Sequence, residues 1–582
     1  MQQNTVSESG ISVIGVIPQY PAHSQQNIYG KVKMPPVGII SVLSQVSHDP
    51  RLKEVYAIDE NNYRGPRDFM GLPDHSVLQR IYPAHIAMFY GGMTNSIPRM
   101  FSLAQQYKKF GAVTIAGGSH VDALPEEALH SGVDIVVHGE GEETAQQIID
   151  KIVKDGSLIF NLEGLLSVKG ISILDSNGQY VFTGKRDPIR DLGQLVDPDL
   201  TLVRFLEKRW SAIPINRGRG CNFGCEFCVV NTLYGKYKSS PVENAVRQIV
   251  RYSDMGYKSF FFTDDNFAQS IPEAIELCKQ IGDYKRKFKR KIVLTVQVRS
   301  EVAENDQLIE AMRYAGVETL AIGFESPINE ELRTMHKGVT VEKLVERSKK
   351  LSNYFYIHGM FIFGYPNSAD SKVRSSLTLN EKAKEYLRFF RNARVDTIQV
   401  LNAGPLPGSK LRARLEAEGR VLPLETAGWD KYDGLFLLYD PRPEGLDPYE
   451  LQEMPRLLMK KRYLGSFARR NLNYGNWMDW TYNTIGFPLQ FGVFYAKRFV
   501  HNLIETRREK SIRLEERLMP ERHIFHTPLV NAFDDIKRKW RNLLIRTYGG
   551  VIVRRRIKEE EQTGYTKRLR EWFARRSHTH QN

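Results

Sequence analysis

Three of the four cysteines of this chain lie within eight consecutive residues, and this run constrains the fold more than any other feature of the sequence. Cys221, Cys225 and Cys228 are separated by three and two residues, so one short loop can direct all three thiolates to a single metal assembly. The run contains no fourth cysteine. Three thiolates can hold a four-iron cluster that leaves one iron open to a small exchangeable ligand. The spacing therefore favours an iron–sulfur cluster with an open site.

Two other interpretations of these cysteines are weighed against the cluster. Structural zinc normally takes four ligands, often from paired Cys-x-x-Cys units, and the chain has no second unit of this kind. Three unrelated buried thiols would not be expected to cluster, because only one other cysteine, Cys278, occurs in 582 residues. Cys278 falls in a predicted helix beside Ile275 and Leu277, which is typical of a free buried thiol.

The cysteine run, with aromatic Phe227 before its last cysteine, resembles the signature of the radical S-adenosylmethionine (radical SAM) enzymes. The resemblance implies a [4Fe-4S] cluster bound by Cys221, Cys225 and Cys228, with Phe227 beside the cofactors. It implies that the open iron binds S-adenosylmethionine and that a reduced flavodoxin or ferredoxin supplies the electron. The expected outcome is a 5'-deoxyadenosyl radical. The residues by themselves indicate only an open-site cluster.

The composition is that of a large globular chain. With 582 residues and 41% hydrophobic content, the chain is long enough for about three or four domains, which excludes a disordered or fibrous protein. Its start shows no basic region followed by an apolar core, and no run of about 18 apolar residues occurs, so we predict neither a secretory signal nor a membrane span. Without a paired-cysteine framework, we expect a protein of the reducing cytoplasm.

Residues 1–154 are predicted to form an α/β domain of the doubly wound, Rossmann-like type. Short runs rich in Val and Ile alternate with helix-length segments, which is typical of a parallel sheet with helices on both faces. The predicted strands are Ser12–Ile17, Glu54–Ile58, Ile86–Tyr90, Ala112–Ala116 and Asp134–His138. In this architecture a ligand binds beyond the carboxyl ends of the strands.

Glycines follow several of these strands. The candidate cofactor-binding residues here are Gly117, Gly118, Gly139, Glu140 and Gly141. Where a side chain is missing, a large ligand can approach the backbone closely. The alternative is that the glycines only make tight strand-to-helix turns.

The stretch from Ala116 to Glu142 resembles the cobalamin-binding domain that precedes many radical SAM cores. The resemblance implies cobalamin as a further cofactor. The stretch lacks the Asp-x-His-x-x-Gly element by which other cobalamin proteins offer a histidine to cobalt. His120 and His138 are not in that setting, so the lower axial ligand stays open, and a degenerate domain that binds no cobalamin remains the alternative.

The middle of the chain is interpreted as a linker followed by a barrel. Residues 155–210 form the linker, and Asn177-Gly178 within it predicts a small hairpin. Residues 211–423 are predicted to form a partial (β/α)6 TIM barrel, whose chemistry belongs at the carboxyl ends of its strands. The predicted strands are Ala212–Asn216, Lys258–Thr263, Lys291–Val298, Val317–Gly323, Tyr356–Phe363 and Val395–Asn402.

Polar residues follow successive strands of the predicted barrel. The candidate cofactor-binding residues here are Asp264, Asp265, Asn266, Gln297, Arg299 and Glu325. By the resemblance, the second strand end lies near the methionine amine of S-adenosylmethionine, and later strand ends hold the carboxylate, ribose and adenine. Arg299 suits the carboxylate because a guanidinium offers a forked pair of donors, and Glu325 could accept from ribose hydroxyls. Ordinary helix caps or surface ion pairs are the alternative for each.

The last region, residues 424–582, is predicted to be mainly helical, basic and aromatic. From residue 455 to the last residue the chain has 28 Lys and Arg against 12 Asp and Glu, so the excess positive charge lies there. The apolar run Ile485–Ala496 is too short to span a bilayer but could lie in its interface, with cations on anionic lipid. Solvated helical faces are the rival interpretation, and without RNA-reading motifs nucleic acid is disfavoured.

The resemblance implies a cobalamin-dependent radical SAM methyltransferase that acts on an unactivated carbon of a lipophilic substrate. We expect it in the cytoplasm, with the last region as the candidate for peripheral contact with the inner face of the cytoplasmic membrane. The sequence resembles the hopanoid methylases and the anaerobic magnesium-protoporphyrin monomethyl ester cyclase, including the stretch to Tyr234 and Gly235. Radical cyclisation, ring contraction or oxidation without methyl transfer is the alternative within the class. A non-enzymatic iron–sulfur protein that senses redox state or binds nucleic acid is the alternative from another class.

Overall fold

Two large sheets organise the fold. The computed structural model describes residues 10–24, 33–154, 157–160, 162–368, 374–463 and 564–579. One sheet has eight strands and the other has six. The mixed α/β class with parallel sheets, expected from the alternating pattern, is confirmed.

The first sheet is parallel except at one edge. From edge to edge its strands are Val203–Arg204, Leu52–Asp59, Ile11–Ile17, Ile86–Tyr90, Val113–Gly117, Ile135–Val137, Ile171–Leu174 and Tyr180–Phe182. Every residue of Ile11–Ile17 is buried, as expected for a central strand covered on both faces. The helices of this part are Val37–Val46, His75–Ile81, Ile97–Lys109, Ser119–Ala123, Pro125–His130, Glu142–Ile152 and Leu162–Leu165, with short 3-10 turns at Glu60–Asn62 and Thr94–Ser96.

The segment 155–210, interpreted from the sequence as a linker, is part of this first sheet. The predicted hairpin forms around Gly178, whose φ is +76°, and pairs antiparallel with the strand Ile135–Val137. Val203–Arg204 pairs with the opposite edge. Ile171 and Ile173 are fully buried by this pairing, so burial of the apolar hairpin face extends the sheet. The local turn signal could not show this long-range partner.

The second sheet is parallel throughout, and its strands follow one another in chain order. They are Ile213–Ile215, Ser259–Phe262, Val293–Val298, Val317–Glu325, Tyr356–Phe363 and Thr397–Asn402. Its helices are Val230–Tyr234, Val242–Asp254, Ile271–Lys287, Asp306–Ala315, Asn329–Thr334, Val341–Leu351, Leu379–Asn392 and Lys410–Ala417. Burial alternates along Tyr356–Phe363, so one face packs on the helices and the other is only half-buried.

Two helices are described after the second sheet, Pro448–Tyr463 and Tyr565–Thr579. The second of them packs back on the preceding segment, where the Tyr565 hydroxyl donates to the Leu437 carbonyl at 2.7 Å and Arg442 lies over the Phe573 ring. The predicted interfacial run Ile485–Ala496 lies outside the described residues. In the described part of the chain, no helix is long and apolar enough to cross a membrane.

Candidate functional site

The carboxyl ends of strands from both sheets line one shared cavity of about 410 Å³. Tyr90, Gly117 and Val137 reach it from the first sheet, whereas Asn216 and Thr263 reach it from the second. Six of the candidate cofactor-binding residues lie in its wall, namely Gly117, Gly118, Gly139, Glu140, Gly141 and Asp265. The chain thus places a concave site where ligands of parallel α/β sheets are expected.

Much of the cavity wall is apolar and comes from segments that no local motif marks. Met34 precedes the first long helix, Met93 follows the strand Ile86–Tyr90, and Leu233 and Tyr234 come from the short helix after the cysteines. Burial raises the pKa of the Tyr234 hydroxyl well above its usual range, so this phenol stays protonated. Only the tertiary fold brings these residues together, which is why sequence reasoning missed Met34, Met93 and Leu233.

The glycines of the wall serve two purposes. At Gly118, with a φ of +122°, an added Cβ would lie 2.5 Å from the backbone nitrogen of Gly92, so the turn itself requires glycine. At Gly139, with a φ of +63°, an added Cβ would meet only the Leu233 carbonyl oxygen, at 3.9 Å, which leaves the backbone open on that side. The turn interpretation therefore explains Gly118, while Gly139 leaves room for a ligand.

Glu140, a candidate cofactor-binding residue, uses its carboxylate to bridge the two sheets. Arg219 donates from Nη1 to Glu140 Oε1 at 2.9 Å, and its Nη2 pairs with Glu142. Lys238 also pairs with Glu140, and the Ser41 hydroxyl donates to Glu142 at 2.7 Å. Arg219 and Lys238 lie on the short antiparallel pair Gly218–Arg219 and Lys238–Ser239, which encloses the cysteine loop. We call this group of residues the inter-sheet ion cluster.

The cysteine loop, Cys221–Cys228, leaves the first strand of the second sheet. All three of its thiols are free and half-buried. Burial raises the pKa of the Cys221 thiol and raises that of Cys228 to about 11, with a further contribution from the nearby Asp265 charge. The Val230 backbone N–H donates to Cys228 Sγ at 3.4 Å, the type of contact that tunes a cluster sulfur. Among the described residues, no group of three or more His, Cys, Asp or Glu side chains has the arrangement that would hold a single metal ion.

Glu226, between two of the cysteines, anchors the loop to the far side of the second sheet. Its buried carboxylate accepts from the Tyr365 hydroxyl at 2.7 Å and from two nitrogens of Arg414 at 2.7 and 3.1 Å. Its backbone N–H donates to the Met335 carbonyl, and its own carbonyl accepts from the Leu411 N–H. We call Glu226, Tyr365 and Arg414 the loop anchor. No local motif predicts the role of Glu226, because its partners lie more than a hundred residues away in sequence.

Phe227, the aromatic residue beside Glu226, is partly buried against the core. Its ring lies edge-on to Tyr365, with the ring centroids 6.4 Å apart. It therefore lines the inner side of the cysteine loop next to the loop anchor.

Asp264 and Asp265 differ in role although they are adjacent. Asp264 is buried and accepts from the backbone N–H groups of Arg217 and Gly218 at 2.8 and 2.9 Å. It therefore holds the chain that leads into the cysteine loop and is not among the residues that line the cavity, so its role as a cofactor contact stays a prediction. Asp265 does line the cavity, and burial, followed by the Asp264 charge, raises its pKa to about 7.

Two of the candidate residues on the second sheet keep an unpartnered buried atom. Asn266 Oδ1 is buried and accepts no hydrogen bond, and Arg299 Nε is buried and donates none. The other nitrogens of Arg299 are not all available, since its Nη2 donates to Glu301 and to the Lys337 carbonyl. The Arg299 guanidinium also lies 3.8 Å from the ring centre of Phe223, within the cysteine loop.

Gln297 and Glu325 are engaged inside the protein. The Gln297 side chain donates to the Asp264 carbonyl at 3.4 Å. Glu325 adopts a φ of +63°, and its carboxylate pairs with Lys337 at 2.9 Å. The ion pair is buried on both sides, so Lys337 holds one oxygen of the Glu325 carboxylate, and the ribose contact of Glu325 stays a prediction.

The two histidines of the first sheet do not line the cavity. His120 Nδ1 lies 3.3 Å from the Thr94 hydroxyl, and burial lowers its pKa. His138 lies between Asp122 and the Ser172 hydroxyl.

Cys278 is fully buried in the helix Ile271–Lys287, where burial raises the pKa of its thiol.

Residues 215–379, which include the cysteine loop and most of the second sheet, match the Radical SAM superfamily. The chain therefore contains a radical SAM domain. The loop spacing, the parallel sheet and the match thus agree on the class expected from the cysteines.

Three of the similar curated proteins are named as methyltransferases or as a methylase. An uncharacterized methyltransferase of Pyrococcus horikoshii is 26% identical over 364 residues, which is 61% of this chain and 72% of that protein. The hopanoid C-2 methylase of Rhodopseudomonas palustris is 22% identical over 67% of this chain and 66% of its own length. The bacteriochlorophyllide d C-12(1)-methyltransferase of Chlorobaculum tepidum is 23% identical over 75% of this chain and 83% of that protein.

Two solved structures share the fold over most of their length. The radical S-adenosylmethionine methyltransferase TsrM of Kitasatospora setae, solved with cobalamin and a [4Fe-4S] cluster, aligns with a TM-score of 0.57 at 14% identity, over 74% of this chain and 87% of that chain. The cobalamin-dependent radical enzyme OxsB aligns with a TM-score of 0.57 at 14% identity, over 97% of this chain and 84% of that chain. At this level of identity the likeness shows the fold.

The loop anchor predicts a specific loss of stability. Arg414→Met leaves the buried Glu226 carboxylate without its cation, so we expect the free energy of unfolding to fall by about 3 kcal/mol and the iron bound per chain to fall with it. Chemical denaturation and iron analysis measure both. Arg388→Met, which removes an exposed pair with Glu385, is the control and should cost less than about 1 kcal/mol. Equal effects of the two variants would contradict the anchoring role.

The inter-sheet ion cluster predicts a second loss. Arg219→Met leaves the buried Glu142 carboxylate without a cation, whereas Glu140 keeps Lys238, so we expect the free energy of unfolding to fall by about 3 kcal/mol in chemical denaturation. Arg186→Met is the control, because Arg186 pairs with the more exposed Glu143 on the same helix, and its loss should cost less than about 1 kcal/mol. If Arg219→Met lowers the free energy of unfolding no more than the control does, the inter-sheet ion cluster does not join the sheets.

Proposed function

We propose that this protein is a radical SAM enzyme that uses cobalamin to methylate an unactivated carbon of a lipophilic substrate. The observation that carries the proposal is that the three free, half-buried thiols lie in a loop flanked by Arg219 and Leu233, and both of these residues line the cavity at the carboxyl ends of the two sheets. When bound, the cluster and S-adenosylmethionine supply a 5'-deoxyadenosyl radical, and methylcobalamin supplies the methyl group.

Cys221, Cys225 and Cys228 fit a [4Fe-4S] cluster. They lie in one loop, form no disulfide, and leave the assembly without a fourth protein thiol, because Cys278 is buried in a helix of the second sheet. The loop anchor and the Asp264 contacts fix the loop from both ends. This chain's own contribution is therefore a rigid, partly water-free setting for the cluster.

The unpartnered atoms next to the loop fit S-adenosylmethionine. Asn266 Oδ1 is a buried acceptor that suits an amine, and Arg299 Nε is a buried donor that suits a carboxylate. A buried polar atom without a partner costs free energy, so a ligand that supplies the partner is stabilised there. We propose that these two residues, with Gln297 beside them, orient the methionine end of the cofactor.

We infer that the shared cavity receives part of a cobalamin, which the protein would hold without a histidine. Gly117, Gly139 and Gly141 leave the backbone accessible, and the described wall contains apolar side chains and no histidine. His120 and His138 have other partners. We propose that residues 1–154, extended by the hairpin and edge strand of 155–210, form the doubly wound cobalamin domain and that residues 211–423 form a partial (β/α)6 barrel.

The substrate class and location extend the same proposal. Two of the relatives named above act, by their names, on a hopanoid and a bacteriochlorophyllide, which are lipophilic ring compounds. We propose a cytoplasmic enzyme reduced by a flavodoxin or ferredoxin, with membrane-surface contact through the basic region 424–582.

Removal of single thiols tests the cluster assignment. Cys225→Ala should abolish cluster binding and the formation of 5'-deoxyadenosine in anaerobic protein, because two thiolates cannot hold the assembly. Cys278→Ala is the matched control and should retain both, since Cys278 is a buried thiol outside the loop. Iron analysis, the ultraviolet–visible spectrum and product assay measure these outcomes. A Cys225→Ala protein that still forms 5'-deoxyadenosine would refute the proposal.

The fate of the methyl group tests the reaction type. With S-adenosylmethionine labelled in its methyl group, we expect the label in the product together with 5'-deoxyadenosine, measured by mass spectrometry. A corrinoid should be extracted from the same preparation by acid. Label recovered only in methionine would show radical cyclisation or oxidation in place of methyl transfer.

A further inference from the structure

The turn before the third strand of the second sheet has an unusual composition. Lys285–Lys291 contains six cationic residues around Phe288. The segment joins the helix Ile271–Lys287 to the strand Val293–Val298. Its last six residues are exposed, and the Phe288 side chain is 54% exposed. None of these residues takes part in the function proposed above.

Other exposed apolar residues lie at the same end of the second sheet. Met255 precedes the second strand and is 48% exposed, and Tyr354 precedes the fifth strand and is 37% exposed. Because the strands are parallel, the turns that precede them all lie at the amino end of the sheet. The cysteine loop follows the first strand and thus lies at the opposite, carboxyl end.

Side-chain contacts join the turns at Met255 and Phe288 into one surface. Arg290 donates to Asp254, next to Met255, at 2.6 Å, and the Tyr284 hydroxyl donates to the same carboxylate at 3.1 Å. The Tyr284 and Phe288 rings lie 5.1 Å apart. We call this surface the basic face; it consists of Met255, Arg286, Lys287, Phe288, Lys289, Arg290 and Lys291.

The acidic residues near the basic face do not cancel its charge. Asp254 pairs with Arg290, and Asp283 accepts from the Tyr314 hydroxyl at 2.6 Å. Five exposed cations, Arg286, Lys287, Lys289, Arg290 and Lys291, therefore face two carboxylates. The surface keeps a net positive charge around its apolar residues.

We propose that the basic face docks on an anionic lipid surface. Clustered Lys and Arg side chains are attracted to anionic lipid headgroups within a Debye length, and exposed rings such as Phe288 can enter the headgroup region. A protein interface of ordinary size has a continuous core depleted of Lys, which this face lacks. Single-stranded nucleic acid is bound in a charged groove with stacking platforms, whereas Phe288 stands on an exposed turn.

The inference goes beyond the proposed reaction and does not depend on it. The basic face lies at the end of the sheet opposite to the cysteine loop, so docking requires no cluster, no cobalamin and no turnover. Its residues, from Met255 to Lys291, precede the basic tail 464–563 in sequence, and that tail lies outside the described residues. Membrane contact through this face would place the amino end of the second sheet next to the membrane surface.

Sedimentation of the full-length protein with vesicles tests the proposal. We expect binding to vesicles of phosphatidylcholine with phosphatidylglycerol, and no binding to phosphatidylcholine alone. The test variant combines Lys287→Glu, Lys289→Glu and Lys291→Glu and should weaken binding by roughly tenfold or more, because each cation near the membrane contributes to the attraction. The control variant makes the same change of charge on exposed residues among residues 97–154, which lie in helices beside the first sheet and in a short strand that follows them, namely Lys109→Glu, Lys151→Glu and Lys154→Glu.

A second pair of variants separates the apolar contribution from charge. Phe288→Ser should weaken binding to the same vesicles several-fold, whereas Phe69→Ser, at a loop residue that is 98% exposed, should not. Circular dichroism and thermal unfolding check that all variants fold. Cleavage of S-adenosylmethionine by the test variant should stay at the level of the unaltered protein, so a failure of docking and a failure of the proposed reaction are distinguishable.

Three results would overturn the proposal. The first is equal loss of binding in the test and control variants, which would mean that net charge alone or the basic tail accounts for it. The second is unaltered binding in the test variant. The third is salt-sensitive binding of a single-stranded oligoribonucleotide that the test variant loses while vesicles are not bound, which would assign the face to nucleic acid.

Discussion

The inter-sheet ion cluster is the interaction on which the rest of the site depends. Arg219 lies two residues before Cys221, and its guanidinium pairs with Glu140 and Glu142, at the start of a first-sheet helix. Withdrawing these charges from water is costly, and the cost is offset only when the partners are correctly placed. The pairing therefore specifies how the cysteine loop sits against the first sheet and gives the shared cavity its second wall.

The cysteine loop is held on its other side by a different kind of contact. Glu226 connects it to Tyr365 and Arg414, which belong to later parts of the second sheet. Asp264 receives two backbone N–H groups of the chain that enters the loop. A loop with free thiols has little local structure of its own, so buried carboxylates at both ends replace the hydrogen bonds that a helix or strand would supply.

The sequence predicted correctly those structural features that depend on residues close together in the chain. It did not predict the features that depend on a partner far away in the chain. Strand Tyr356–Phe363 has the bounds that were predicted from its local sequence, and its alternate residues are buried against the helices. Residues 155–210 were interpreted as a linker because a hairpin turn is readable locally, whereas its pairing with Ile135–Val137 is not. Glu140, Asp264 and Glu325 are polar at strand ends as expected, yet each carboxylate is used by a protein partner.

The sequence by itself determined the class of the chemistry and the alternation of strands and helices, because three thiols at fixed spacing and periodic apolar residues act through near neighbours. The tertiary structure decided which polar residues remain available to a ligand. Asn266 and Arg299 keep unpartnered buried atoms, whereas Glu325 does not. It also decided where the cavity and the basic face lie, since both are assembled from segments that are far apart along the chain and meet only when the parallel strands align.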